Sequence, residues 1–204
     1  MFITFEGTEG SGKSSQVRAL ADFLCQRGLD VLTTREPGGT SIGEQIRAVI
    51  SNLENTTMHP RAEILLFQAS RAQLVEQVIR PHLAKGGVVL SDRYADSTIA
   101  YQGYGHQVDL ERLKALIHFA TGGLAPDLTL LFEIEVEEGL RRRASAGGWN
   151  RMDAYDLEFY RRVQQGYRQL VQAEPGRWAV IDAAQPPGQV QADVQRVVRE
   201  RLKI

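Results

Sequence analysis

Phe2-Ile3-Thr4-Phe5-Glu6-Gly7-Thr8-Glu9-Gly10-Ser11-Gly12-Lys13-Ser14 reads as a strand, a tight turn and the first turn of a helix. An apolar, β-branched run comes first, and Val17, Leu20, Ala21 and Leu24 continue the stretch with helical spacing. Residues 7–14 fit G-x-x-x-x-G-K-[ST], and the strand–turn–helix setting separates a phosphate-binding loop from a chance glycine-rich turn. Glycines let backbone N–H groups converge on an anion, and the helix adds its positive end. Gly7, Thr8, Glu9, Gly10, Ser11, Gly12, Lys13, Ser14 and Ser15 are therefore expected to hold the phosphates of a nucleoside triphosphate such as ATP. Lys13 would reach the β- and γ-phosphates, and the Ser14 hydroxyl would face Mg²⁺.

Further along, apolar strand-like runs at 2–5, 31–34, 88–90, 128–134 and 178–181 alternate with helical periodicity at 13–27, 41–53, 60–80, 109–120, 153–172 and 189–203. Strands separated by long helical crossovers predict an α/β fold. Its centre is a mostly parallel five-stranded sheet, helices cover both faces, and ligands bind at the carboxyl ends of the strands. The 204 residues are expected to form one P-loop domain, with a basic segment at about 141–152 standing apart as a short mobile lid. Net charge is −1, from 24 basic and 25 acidic residues, which gives no global attraction to nucleic acid or to an anionic membrane. The one cysteine, Cys25, reads as a small core residue. No run approaches a membrane span and no charged-then-apolar leader opens the chain, so a cytoplasmic protein is expected.

The other strand ends narrow the chemistry. Arg35 follows the second strand, where it could grip a second phosphate or simply pair with Glu36 at the surface. Asp92 ends the third strand as an acid on the metal side of the loop, and Arg93 after it points to a second anionic substrate. In the helix from 60 to 80, Ile64, Phe67, Leu74 and Val78 form a stripe that also carries Arg71. A ring and a guanidinium one turn apart can stack on a base and bond its edge; the alternative is a core Phe beside a snorkelling Arg. A guanine-dependent switch is disfavoured because the chain has no Asn-Lys pair. A nucleic-acid-coupled ATPase is disfavoured because Asp92 is followed by an arginine rather than a second acid.

The phosphate loop with Glu9, Thr34-Arg-Glu-Pro-Gly-Gly-Thr40, Asp92-Arg-Tyr94, Asp96-Ser-Thr-Ile-Ala-Tyr-Gln-Gly103, Pro126-Asp-Leu-Thr129 and Arg151-Met-Asp153, in this order, resemble the bacterial thymidylate kinases of the P-loop nucleoside monophosphate kinase superfamily. The resemblance covers most of the chain. It implies phosphoryl transfer from ATP to dTMP with Mg²⁺, through Ser14 and Asp92 (directly or through water), and a homodimer. It implies that Phe67 stacks on thymine, that Arg71 bonds its O4, and that Thr98 and Gln102 face the Watson–Crick edge unless they only cap or solvate a helix. Tyr101 would pack under the deoxyribose, Arg35 and Arg93 would hold the monophosphate, and Glu9 would approach the 3′-hydroxyl and Arg93. Catalysis would rest on Lys13, Asp92, Arg93 and a lid arginine, since the loop's variable positions carry none. Arg151 comes first for that role and Arg143 next, while Arg141 and Arg142 serve equally well as a solvated helix end. A related kinase for dUMP, dGMP or a deoxynucleoside would keep the loop and change the pocket formed by residues 67–102. Asn150 and Asp153 depart from the commoner lid pattern, and Trp149 has no assigned role. The outer face of helix 60–80 (Leu65, Ala69, Ala72, Ile79) is apolar enough to permit the dimer.

Overall fold

In the alternation of strand and helix, the chain places every crossover on a parallel sheet. The computed structural model describes residues 1–147 and 151–204. Strands β1 (Phe2–Glu6), β2 (Val31–Arg35), β3 (Val88–Asp92), β4 (Leu128–Glu133) and β5 (Trp178–Asp182) lie in the order β2-β3-β1-β4-β5, all parallel. The chain steps from β1 outward to β2, returns to insert β3, and then crosses to β4. The order thus reverses at β1, where the turn at 7–12 emerges between two neighbours. Every residue of β1 is buried, as a central parallel strand covered on both faces requires.

One face of the sheet packs on α1 (Lys13–Cys25) and α9 (Pro187–Leu202) through Ile3, Phe5, Leu20, Leu24, Leu130 and Val194. The remaining helices are α2 (Ser41–Ser51), α3 (Pro60–Leu74), a π-helical turn at Val75–Ile79 running into α4 (Arg80–Ala84), α5 (Ala95–Thr98) running into a π-helical stretch at Ile99–Gly105, α6 (Leu110–Thr121), α7 (Val136–Ser145), a 3₁₀ turn at Arg151–Ala154 and α8 (Leu157–Ala173). Their starts follow local chemistry. Thr40, Asp109 and Asp156 each accept a backbone N–H from the first turn of α2, α6 and α8, and Pro60 opens α3 where no N–H is needed.

Several expectations need correction. The basic segment read at about 141–152 does not begin between helices: Arg141, Arg142 and Arg143 lie within α7, as the helix-end reading of Arg141 and Arg142 requires. The helix at 95–105 has no amphipathic period to read, because almost all of its sides are covered. Cys25 is exposed, since α1 buries Val17, Leu20 and Leu24 and turns residue 25 outward. Ile79 does not share an outer face with Leu65. The π turn at 75–79 shifts the helical phase, so Ile79 is fully buried against Phe2 and Val89 while Leu65 is 56% exposed. Trp149 and Asn150, with Gly148, lie outside the described residues.

Candidate active site

Strand β1 delivers Gly7 to the carboxyl edge of the sheet, and the loop that follows closes on its own lysine. Lys13 Nζ donates to Gly7 O at 2.9 Å, Thr8 O at 2.8 Å and Ser11 Oγ at 3.1 Å. Burial, with Arg93 nearby, lowers the Lys13 pKa to about 8, so its charge is held at a cost that an anion would relieve. Ser14 Oγ donates to Asp92 Oδ2, which brings the two hard oxygen groups at the ends of loop and β3 into contact.

Arg93 is the hub. Its backbone lies in the left-handed region (φ 71°), fixed by its N–H on Phe5 O and by Ser91 Oγ on its carbonyl. Its guanidinium donates to Glu9 Oε1 at 2.8 Å, Tyr101 Oη at 3.0 Å and Gly7 O at 3.1 Å, and Tyr101 Oη donates to Glu9 in turn. Behind it, fully buried Glu6 accepts from Tyr94 N–H, Ser97 Oγ and Tyr167 Oη. Burial and the nearby Asp96 push its carboxyl up to about 7, although Arg93 opposes them. A carboxyl raised on folding binds its proton more tightly in the native state. Stability linked to Glu6 is therefore full below about 4.5 and is lost as pH rises towards 7. Glu6→Gln is expected to flatten the fall in unfolding free energy between these two values; an unchanged slope in chemical denaturation would place its origin elsewhere.

A single cavity of about 350 Å³ gathers most of the candidate residues. Its lining includes Glu9, Gly10, Lys13, Ser14, Asp92 and Arg93 from the loop, the start of α1 and the end of β3, Phe67 and Arg71 from α3, Thr98, Tyr101 and Gln102 from the helix at 95–105, and Arg35 and Arg143. Gly7, Thr8, Ser11, Gly12, Ser15 and Arg151 stand behind this lining or outside it. Arg35 pairs with Glu44 at 2.9 and 3.0 Å rather than with Glu36, and both side chains are nearly half exposed. Such a pair is weak enough to exchange for an anion. Glu36 instead meets Arg71, which is 1% exposed and has all five N–H groups taken by Glu36, Gln68 Oε1, Thr98 Oγ1 and Tyr94 O. A bond from Arg71 to a base would therefore replace one of these.

The basic segment divides. Arg141 and Arg142 both pair with Glu138 one turn away, and Arg142 also reaches Ala183 O. Arg143 faces the cavity, bound to Asp153 at 2.7 and 2.8 Å. Arg151 turns to α2 and α3, donating to Ile50 O and to Glu63. Sequence reasoning missed Glu36, Arg47, Ser97, Asp153, Glu63 and Gly139. Arg47 donates to Pro37 O and lines the cavity, and burial plus the Arg35 charge lower its pKa. It lies three residues after Glu44 on the same helix face, a legible signal. Glu63, Phe67 and Arg71 follow each other at intervals of four, so an acid on the apolar stripe was legible too. Gly139 meets the phosphate loop so closely that a Cβ on it would lie 2.5 Å from Glu9 O.

Among the described residues no helix is long and apolar enough to cross a membrane, and no group of three or more His, Cys, Asp or Glu side chains forms a metal cluster. Residues 5–194 match the sequence profile of the family described as thymidylate kinase. The chain is 52% identical over 197 residues to the thymidylate kinase of Roseiflexus sp. (strain RS-1), covering 91% of this chain and 87% of that one. It is 48% identical over 210 residues to the thymidylate kinase of Desulfovibrio desulfuricans, covering 100% and 97%. The crystal structure of thymidylate kinase from Ehrlichia chaffeensis superposes with a TM-score of 0.81 at 31% identity, over 97% of this chain and 98% of that one.

Proposed function

Since this chain belongs to the thymidylate kinase family, we propose that its 350 Å³ cavity is where the γ-phosphoryl group of ATP passes to the 5′-phosphate of dTMP, giving dTDP and ADP for dTTP synthesis. One observation carries the reading: the loop lysine, three arginines from different elements (Arg35, Arg93, Arg143) and a wall carrying Phe67 all border the same space. Two polyanions must meet there, so positive charge and alignment account for most of the catalysis.

In this reading Lys13 leaves the loop carbonyls for the β- and γ-phosphates. Arg93, held by Glu9 and Tyr101, aligns the acceptor phosphate, and Arg35 exchanges Glu44 for it. The attacking oxygen is already ionised near neutral pH, so no strong general base is required. Ser14 and Asp92 offer hard oxygens in mutual contact, a donor set that fits Mg²⁺ completed by phosphate and water. Mg²⁺, when bound there, supplies further neutralisation of the β,γ end. Arg143, on the cavity wall, is better placed in this arrangement to meet the transferring group than Arg151, which Glu63 and Ile50 hold. A cytoplasmic homodimer fits the reading, with its contact on the outer face of α3 (Leu65, Ala69, Ala72) and α6, where Phe119 is 87% exposed. Light scattering at 22.7 kDa rather than twice that mass would exclude the dimer.

Phe67→Ala tests the acceptor wall with little structural disturbance, because Phe67 is only half-buried, whereas truncating Arg71 leaves buried Glu36 without its counter-charge. Calorimetric titration is expected to show dTMP binding weakened roughly tenfold or more, as loss of a stacking ring implies, with ATP binding unchanged. Equal losses for both nucleotides would contradict the placement of the base against α3.

A further inference from the structure

Glu63, in the first turn of α3, is a buried carboxylate with four partners. Oε1 accepts from Gln102 Nε2 at 2.9 Å and has His106 Nε2 3.6 Å away. Oε2 accepts from Arg151 and from Tyr155 Oη at 3.2 Å. Burial alone would raise the Glu63 carboxyl, but the proximity of His106 and the bonds from Arg151 and Gln102 bring it down to about 2, so it is ionised and can only accept.

That restriction fixes its neighbour. An amide facing a carboxylate must turn its NH₂ towards it, which leaves the Gln102 carbonyl oxygen as the free end of a side chain that lines the cavity. Among the described residues Gln102 Oε1 has no protein donor. Thr98 shows the opposite polarity. Its hydroxyl oxygen accepts from Arg71 at 3.0 Å and from Gln68 Nε2 at 3.3 Å, so its own hydrogen is left to donate into the same cavity. An acceptor and a donor therefore stand side by side. The N3–H and O4 of thymine or uracil match that pair, whereas cytosine presents an acceptor at N3 and a donor at N4, the reverse order.

We propose that Glu63 is a positioning residue for acceptor choice: by fixing the Gln102 amide with its carbonyl towards the base, it makes the site select pyrimidines that carry N3–H. The inference rests on the dTMP reading of the cavity and adds to it the residue that sets the polarity of its edge. The same carboxylate holds Arg151 and Tyr155, so orientation of the base-facing amide and placement of the 151–155 segment share one anchor.

Because Glu63 also anchors Arg151, a fall in kcat alone proves nothing about selection; the ratio between acceptors does. Steady-state kcat/KM on the full chain is measured for dTMP, dUMP and dCMP. In Glu63→Gln, residue 63 can donate as well as accept, so Gln102 can take either orientation. The preference for dTMP over dCMP is expected to fall about tenfold or more, the worth of one buried, correctly oriented hydrogen bond. The preference for dTMP over dUMP, which differ only by a methyl group, is expected to hold. The swapped pair, Glu63→Gln with Gln102→Glu, keeps an acceptor at the cavity and is expected to restore discrimination against dCMP. Equal losses for dTMP and dCMP in Glu63→Gln, or a folded swapped pair that still fails to reject dCMP, overturn the proposal. Wild-type protein that phosphorylates dCMP as well as dTMP would instead remove the dTMP reading itself.

Discussion

Lys13→Met is expected to lower kcat on the order of 10³-fold, the scale seen when one group that stabilises developing charge is removed, without lowering the thermal midpoint. The two halves of this expectation come from the same geometry. Lys13 is 7% exposed and its pKa falls to about 8, which means that folding buries an ammonium at a cost near neutral pH. Methionine keeps the length and apolar stem and removes that cost. Its partners are not left stranded to the same degree, because Ser11 Oγ still donates to Thr8 O. Stability is therefore held or gained while transfer is lost, the pattern of a residue kept for function rather than for folding. A variant that retains turnover, or one that melts well below the parent, would show that Lys13 is chiefly a brace for the loop.

Gly10→Ala should damage both stability and activity. Gly10 has φ +70°, and a Cβ there would lie 1.9 Å from Gly139 O, a backbone atom in the first turns of α7 that cannot simply swing aside. Loop and helix must separate, and a displacement of about 1 Å at the phosphates is expected to reduce turnover at least about 100-fold. Gly139→Ala approaches the same contact from the other side. Glycine to alanine within an ordinary helix gains roughly 1 kcal/mol. Here the new Cβ would sit 2.5 Å from Glu9 O, so the sign is expected to reverse and the midpoint to fall. Because both changes force apart one contact, the double variant should lose less than the sum of the two. Additive losses in thermal denaturation would mean that the two glycines act at separate places.

The legibility of this chain follows from where its signals are local. The run from Phe2 to Ser14 carries strand, turn and helix chemistry within a few residues, and a parallel α/β sheet follows once the other apolar runs alternate with helical spacing. The helix at 95–105 escaped notice because it is enclosed, and enclosure erases the periodicity by which helices are recognised. Ile79 was misplaced because a π turn changes phase without leaving a mark in the residue pattern. At the site, Arg35, Phe67, Arg71 and Arg93 were legible as residue types at strand ends and on one helix stripe. The acids that pair with Arg35 and Arg71 were not, since Glu44 and Glu36 are chosen by tertiary approach. The assignment of Arg151 shows the same limit. Sequence places it in a basic segment, but only the fold reveals that it reaches Glu63, 88 positions earlier.

The most direct test is ADP formation from Mg²⁺-ATP, first without an acceptor and then with dTMP, dUMP, dGMP, dCMP and thymidine in turn. Turnover that depends on an acceptor and is highest with dTMP, with dTDP accumulating in step with ADP, is the predicted result. ATP hydrolysis indifferent to every acceptor would contradict it, because Arg35 and Arg93 would then hold something other than a nucleotide.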